Sequence, residues 1–237
     1  MKAVIMGGFR HTVESPRMHY PHAELWLQST SARAWDWVIY DWSRWFDLHD
    51  VEPNSFYPGI RSMRPDVLSW YIKQGTERPI YLTTAYREII GSRSYPIDRL
   101  TQKYGDRYFG CQLDYMAAMA LDEGFDTWIL YGVGQPYVAD RQGQKAQQWW
   151  RHHGTFLYWL RLATAQGVRI VLDTPESNMF THEIILDTVN YPTPEPLAWR
   201  YGYDMSVESR NPVKAQIADF PEPMDVTPIT EGELCPQ

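Results

Sequence analysis

The residues from Leu113 to Val133 change their hydrophobic period within a single stretch, and that change restricts the fold more than any other feature. Leu113, Met116, Ala117, Ala120 and Leu121 recur at helical spacing, Gly124 and Phe125 follow as a left-handed cap with an apolar residue behind it, and "TWILYGV" then runs without a polar break. A continuous apolar run of that length suits a central parallel strand covered on both faces. Upstream, the same alternation predicts strands in "KAVIM" (Lys2 to Met6), "AELWLQST" (Ala23 to Thr30), Arg44 to His49 and "RPIYLTT" (Arg78 to Thr84). A helix opens at Pro65 and stops at Gly75, with Val67, Leu68, Tyr71 and Ile72 on one face. A shorter one in "YPIDRLTQKYG" buries Ile97 and Leu100 and ends at Gly105. Downstream lie a long helix from about Gln144 to Ala165, closed by Gly167, and a strand from Val168 to Pro175. This order predicts one α/β domain over residues 1–180, with a mostly parallel sheet, right-handed crossovers and helices on both faces. Residues 181–237, rich in proline and acid and lacking helical period, read as an extended arm or tail.

The bulk numbers fit that domain. The chain has 237 residues, 44% of them hydrophobic and 22% charged, and carries a formal net charge of −7. That charge argues against a whole-protein basic field of the kind that drives non-specific DNA binding. Arg87, Arg93, Arg99, Lys103 and Arg107 form a local basic run, either a groove for a nucleic acid or a solvated surface. The 11 Trp and 16 Tyr are high for this length and have two readings, a core built from large rings or platforms for sugars, bases or a partner. Cys111 and Cys235 make no disulfide framework and point to a reducing compartment. His19 and His22, like His152 and His153, lack the Cys pairs or H-E-x-x-H spacing of a metal site, so no metal is expected. With no leader and no apolar run of ~18 residues, the expectation is a cytoplasmic protein without membrane contact.

In a parallel sheet, loops at the carboxyl ends of the strands are where ligands are held. Gly7 and Gly8 follow the first strand and allow close backbone approach, with Arg10 and His11 placed to meet a phosphate or carboxylate. His49 and Asp50 close the third strand; His49 is the candidate general base and Asp50 its candidate orienting acid, although neighbours on a strand face opposite ways. Gly110 leads into a helix whose first N–H groups favour an anion, and Cys111 at that point reads chiefly as a small packing residue. Gly132, Gly134 and Gln135 turn after the fifth predicted strand, and Glu176 and Ser177 follow the last one. Together these strand ends place polar and glycine residues on one rim.

The stretches "WDWVIYDWSRWFDLHD", "SRSYPIDRL", "RYFGCQLDYMAAMALDEGFDTWILYGV" and "YWLRLATAQGVRIVLDTPESNMF" resemble, in order and spacing over residues 1–180, a family of small Rossmann-like proteins encoded by bacteriophages. That family is in turn similar to bacterial sialyltransferases and hydroxymethylpterin diphosphokinase-like proteins. The resemblance implies a Rossmann-like nucleotide site and, as function, a nucleotide-sugar-dependent glycosyltransferase acting on modified DNA bases or another phage or host acceptor. It implies no cofactor beyond the nucleotide-sugar co-substrate. His49, Asp50, Tyr95, Pro96, Gly132, Pro175 and Ser177 match the family pattern; Gln28 stands where relatives have Asn. Cys111 and Gln112 replace paired serines, and Gly134 replaces an acid. The other reading is a Rossmann module that has lost its chemistry and binds a nucleotide or a protein, as a virion or anti-defence component. A DNA acceptor would use the Arg87 to Arg107 run, and the arm is a candidate contact between copies of the chain.

Overall fold

The computed structural model describes residues 2–7, 15–28, 42–49, 65–133 and 144–172. In chain order these hold β1 (Ala3–Gly7), β2 (Glu24–Gln28), β3 (Arg44–Phe46), α1 (Pro65–Gln74), β4 (Ile80–Leu82), β5 (Ser92–Ser94), α2 (Ile97–Tyr104), α3 (Gln112–Asp122), β6 (Thr127–Tyr131), α4 (Gln144–Ala165) and β7 (Arg169–Leu172). The strands form one seven-stranded sheet in the order β5-β4-β3-β2-β1-β6-β7. Every pairing is parallel. The expected arm, residues 181–237, lies outside the described residues.

Handedness decides which face each helix covers. The chain steps one way across the sheet from β3 to β4 and the other way from β5 to β6 and from β6 to β7. Right-handed crossovers therefore send α1 to one face and α2, α3 and α4 to the other. The core divides accordingly, because successive strand residues point to opposite faces. Ile5, Leu25, Leu27, Trp45, Ile80 and Leu82 pack with Val67, Leu68 and Tyr71 of α1. Val4, Met6, Trp26, Phe46, Trp128 and Leu130 pack with α3 and with Phe156, Trp159 and Leu160 of α4. The indoles of Trp26, Trp42, Trp45, Trp128 and Trp159 are all buried, so in this part of the chain the large rings build the core. Trp26 anchors its side of that core, its ring 5.1 Å from those of both Phe46 and Phe125.

α3 departs from its amphipathic reading, since every residue from Gln112 to Leu121 is buried. Burial is not confined to the helical stripe: Ala118 is fully buried, and Met119 Sδ lies 3.9 Å from Arg44 Nη1 of β3. The helix stops as anticipated: Gly124 adopts a positive φ of 72°, its amide bonds to Leu121 O, and the Phe125 amide bonds to Ala120 O at 2.9 Å. That is the Schellman arrangement.

Strand ends differ from the sequence expectation by a few residues. β3 pairs only over Arg44–Phe46, after which Asp47 N makes one further bond to Tyr81 O at 2.9 Å and the chain leaves the ladder. β5, with sequence "SRS", was not anticipated. It is an edge strand defined by backbone pairing to β4 rather than by apolar side chains. Gly91, just before it, is required because a Cβ there would overlap the carbonyl of Arg78.

Candidate functional site

An all-parallel sheet gathers the carboxyl ends of its strands on one rim, and the strand order reverses between β1 and β6, the position at which open sheets of this kind hold ligands. Gly7 ends β1 opposite Tyr131 of β6. Gly132 turns the chain away with φ of 63°. A Cβ on Gly7 would overlap Cδ2 of the buried Leu27 side chain, which would have to shift to admit it. Gln28 ends β2 on the same rim and is buried. Gly8, Arg10, His11, Asp50, Gly134, Gln135, Glu176 and Ser177 lie outside the described residues.

Among the described residues, a group of polar side chains on the rim surrounds the end of β3. Asp47, 1% exposed, accepts on Oδ1 from the His49 backbone amide at 3.2 Å and pairs through the same oxygen with His49 Nδ1. Its Oδ2 accepts from the Tyr71 hydroxyl at 2.7 Å. Tyr71 is buried on α1; burial, and then the charge of Asp47, push its phenol well above the usual range, so the group stays a donor. From the other face, Gln112 at the start of α3 accepts on Oε1 from the Leu48 amide at 3.3 Å. Its amide nitrogen lies 3.4 Å from His49 Nδ1. A carboxylate offers only acceptors, so Nδ1 carries the ring proton toward Asp47. Gln112 Nε2 is then a neighbour of the ring rather than a donor to it. The remaining nitrogen, Nε2, is the basic one.

Among the described residues the acid beside His49 is Asp47, two residues earlier; Asp50, the orienting acid expected from the sequence, lies outside them. The signal was present: residues i and i+2 of an extended segment project to the same side, and adjacent ones do not.

The start of α3 is organised by a residue the sequence reading passed over. Asp114 is wholly buried and its Oδ2 accepts from the amides of Gly110 and Cys111, both at 2.7 Å. With the Cys111 side chain accepting from the Asp114 amide, this is a capping box in which cysteine stands for the usual hydroxyl residue. The motif C-x-x-D was its sequence signature. The amide of Gly110, read from sequence as an anion donor, is therefore already held by the protein's own carboxylate. Asp114 Oδ1 has no hydrogen-bond partner among the described residues. Burial raises the Asp114 carboxyl to about 7, against the bonds from Thr155, Cys111 and Gly110 that favour the charged form. Burial, with Asp114 nearby, likewise pushes the Cys111 thiol well above its ordinary value, which leaves it a packing group rather than a nucleophile.

Arg87, Arg93, Arg99, Lys103 and Arg107 are all exposed. Arg99 and Lys103 share one partner, Asp122, at 3.0 and 2.8 Å, and Arg93 Nη1 bonds to Ser92 O at 2.8 Å. The local positive charge is correspondingly smaller than the residue count suggests. No cluster of three or more His, Cys, Asp or Glu side chains suited to a metal occurs among the described residues. No helix among them is long and apolar enough to cross a membrane.

The geometry defines a Rossmann-like α/β domain with a His–Asp pair at the carboxyl-end rim of its parallel sheet. Comparison with family models, with curated proteins and with solved structures gives no match.

Proposed function

We propose that this chain is a nucleotide-dependent transferase, with a nucleotide-sugar as donor and a hydroxyl-bearing acceptor. The acceptor class follows the resemblance to phage Rossmann-like proteins: modified DNA bases, or another phage or host molecule. The observation that carries the proposal is the buried Asp47 holding His49 at the end of β3. Parallel strands lie ~4.8 Å apart, so His49 stands ~12 Å along the rim from the β1/β6 reversal, a span suited to a nucleotide carrying a phosphate-linked sugar. In the reaction proposed, an acceptor hydroxyl attacks the anomeric carbon and its proton passes to His49 Nε2. The nucleotide leaves with the electrons of the broken C–O bond, and the sugar inverts. Asp47 balances the imidazolium that forms.

The test begins with melting the full chain against nucleoside mono- and diphosphates and CMP-, UDP- and GDP-linked sugars. Turnover with the stabilising donor is then compared in His49→Ala, where a loss of ~100-fold or more is expected. Undiminished turnover in that variant overturns the role of His49. A second reading, a binding module without chemistry, is favoured by one feature: Asp114 occupies the amides on which a phosphate would rest. Stabilisation by a protein or nucleotide, with no sugar consumed, selects that reading.

A further inference from the structure

We infer that Tyr71 and Gln112 are positioning residues that clamp the His49 imidazole from opposite faces of the sheet. The inference rests on the proposed role of His49 and adds the residues that set its tautomer. The three-residue segment 47–49 leaves the ladder just where two helices reach it. Asp47 turns toward the α1 face, where Tyr71 donates to its Oδ2 at 2.7 Å. Leu48 turns into the core of the α3 face, where Gln112 accepts from its amide.

Each contact has a feature that packing alone does not require. Tyr71 is wedged by Trp45 and Trp70, with ring centroids 6.2 and 5.3 Å away, and a phenylalanine would fill that space equally well. Its hydroxyl serves Asp47. That bond prevents Asp47 from rotating and so keeps Oδ1 on His49 Nδ1. Gln112 is the first residue of a helix that is otherwise apolar apart from Asp114 and the terminal Asp122. Its side chain reaches across 64 residues of sequence to the Leu48 amide and lies beside the ring. The Asp47 carboxylate on Nδ1 favours the Nδ1–H tautomer, and Gln112 acts on the ring by holding the segment that carries it through the Leu48 amide.

The measurement is a long-range ¹H–¹⁵N correlation of the ¹⁵N-histidine-labelled full chain, at a pH raised until the ring ¹⁵N shifts no longer change. The chain has 7 histidines, so the His49 signals are assigned by their loss in His49→Ala. The expected wild-type spectrum shows His49 as Nδ1–H. Tyr71→Phe and Gln112→Leu are each expected to lose that dominance and show a mixture of tautomers. A purely structural role would lower the melting temperature and leave the tautomer unchanged. Either variant that keeps the wild-type ratio overturns the role of the residue it removes. Should a variant fail to fold, the wild-type spectrum remains decisive: a dominant Nε2–H form overturns the clamp. Undiminished turnover in His49→Ala overturns the role of His49 as base and leaves the tautomer result standing, so the two ideas fail separately.

Discussion

Asp114 concentrates the opposing forces of this fold in one side chain. Two amide bonds and the positive end of α3 favour its charge, while complete burial opposes it and prevails, holding its carboxyl at about 7. The ordinary value is 3.8, so between about pH 4 and 7 the folded chain binds a proton that the unfolded chain has released. Stability from this group is therefore present at low pH and declines as pH rises through that window, by an amount on the order of 4 kcal/mol at most. Asp114→Asn keeps an oxygen for the two amides and removes the titration. Urea melts of both proteins from pH 4.5 to 8 should show the wild type losing ground to the variant as pH rises. A constant difference across that range contradicts the argument. Cys111 gives a companion expectation: its buried, proton-holding thiol should resist alkylation at pH 8 in the folded chain and react in urea.

At the scale of elements, α3 and α4 set one another's position through a residue with no side chain. A Cβ on Gly110 would lie 2.9 Å from Thr155 Oγ1 and 3.1 Å from Thr155 Cγ2, closer than such atoms normally come. Gly110→Ala should cost about 1–3 kcal/mol. Thr155→Ala, in the same chain, should recover part of that loss because it removes the atoms being struck. A double-mutant cycle read by chemical denaturation measures the coupling, and strict additivity refutes the contact. Most elements were legible because burial on one face imposes a period, and α1, α2, α4 and β6 start or stop close to their capping signals. β5 was not legible: an edge strand of Ser92, Arg93 and Ser94 has no apolar face to impose one. The all-round burial of α3 was equally hidden, because its covering by other elements is a fact about other segments.

For the molecule as a whole, the parallel sheet makes the rim, and the reversal of strand order between β1 and β6 marks the place on it where a nucleotide is proposed to bind. A nucleotide bound there stabilises the chain by mass action. At 100 times its Kd the gain is about 2.7 kcal/mol, which for a chain of this size raises Tm by roughly 5–11 °C. Thermal melts across the nucleotide panel check this, and a flat response to all members goes against the transferase. The acidic balance and the pairing of Arg99 and Lys103 with Asp122 bear on a DNA acceptor. If DNA is the acceptor, binding should weaken steeply with salt and fall when Arg93 and Arg99 are neutralised, as read by fluorescence anisotropy.

By itself the sequence determined the α/β class, the order of the long elements and the side of each strand that faces its neighbours, because hydrophobic period and helix caps are local properties. It also marked His49 as a residue of interest. Only the tertiary structure decided what surrounds it. Tyr71, the partner of Asp47, lies 24 residues away from it, and Gln112 arrives beside His49 from 63 residues away on the opposite face. Such partners are chosen by crossover handedness and sheet order, which act between segments and leave no trace in the spacing of residues within one.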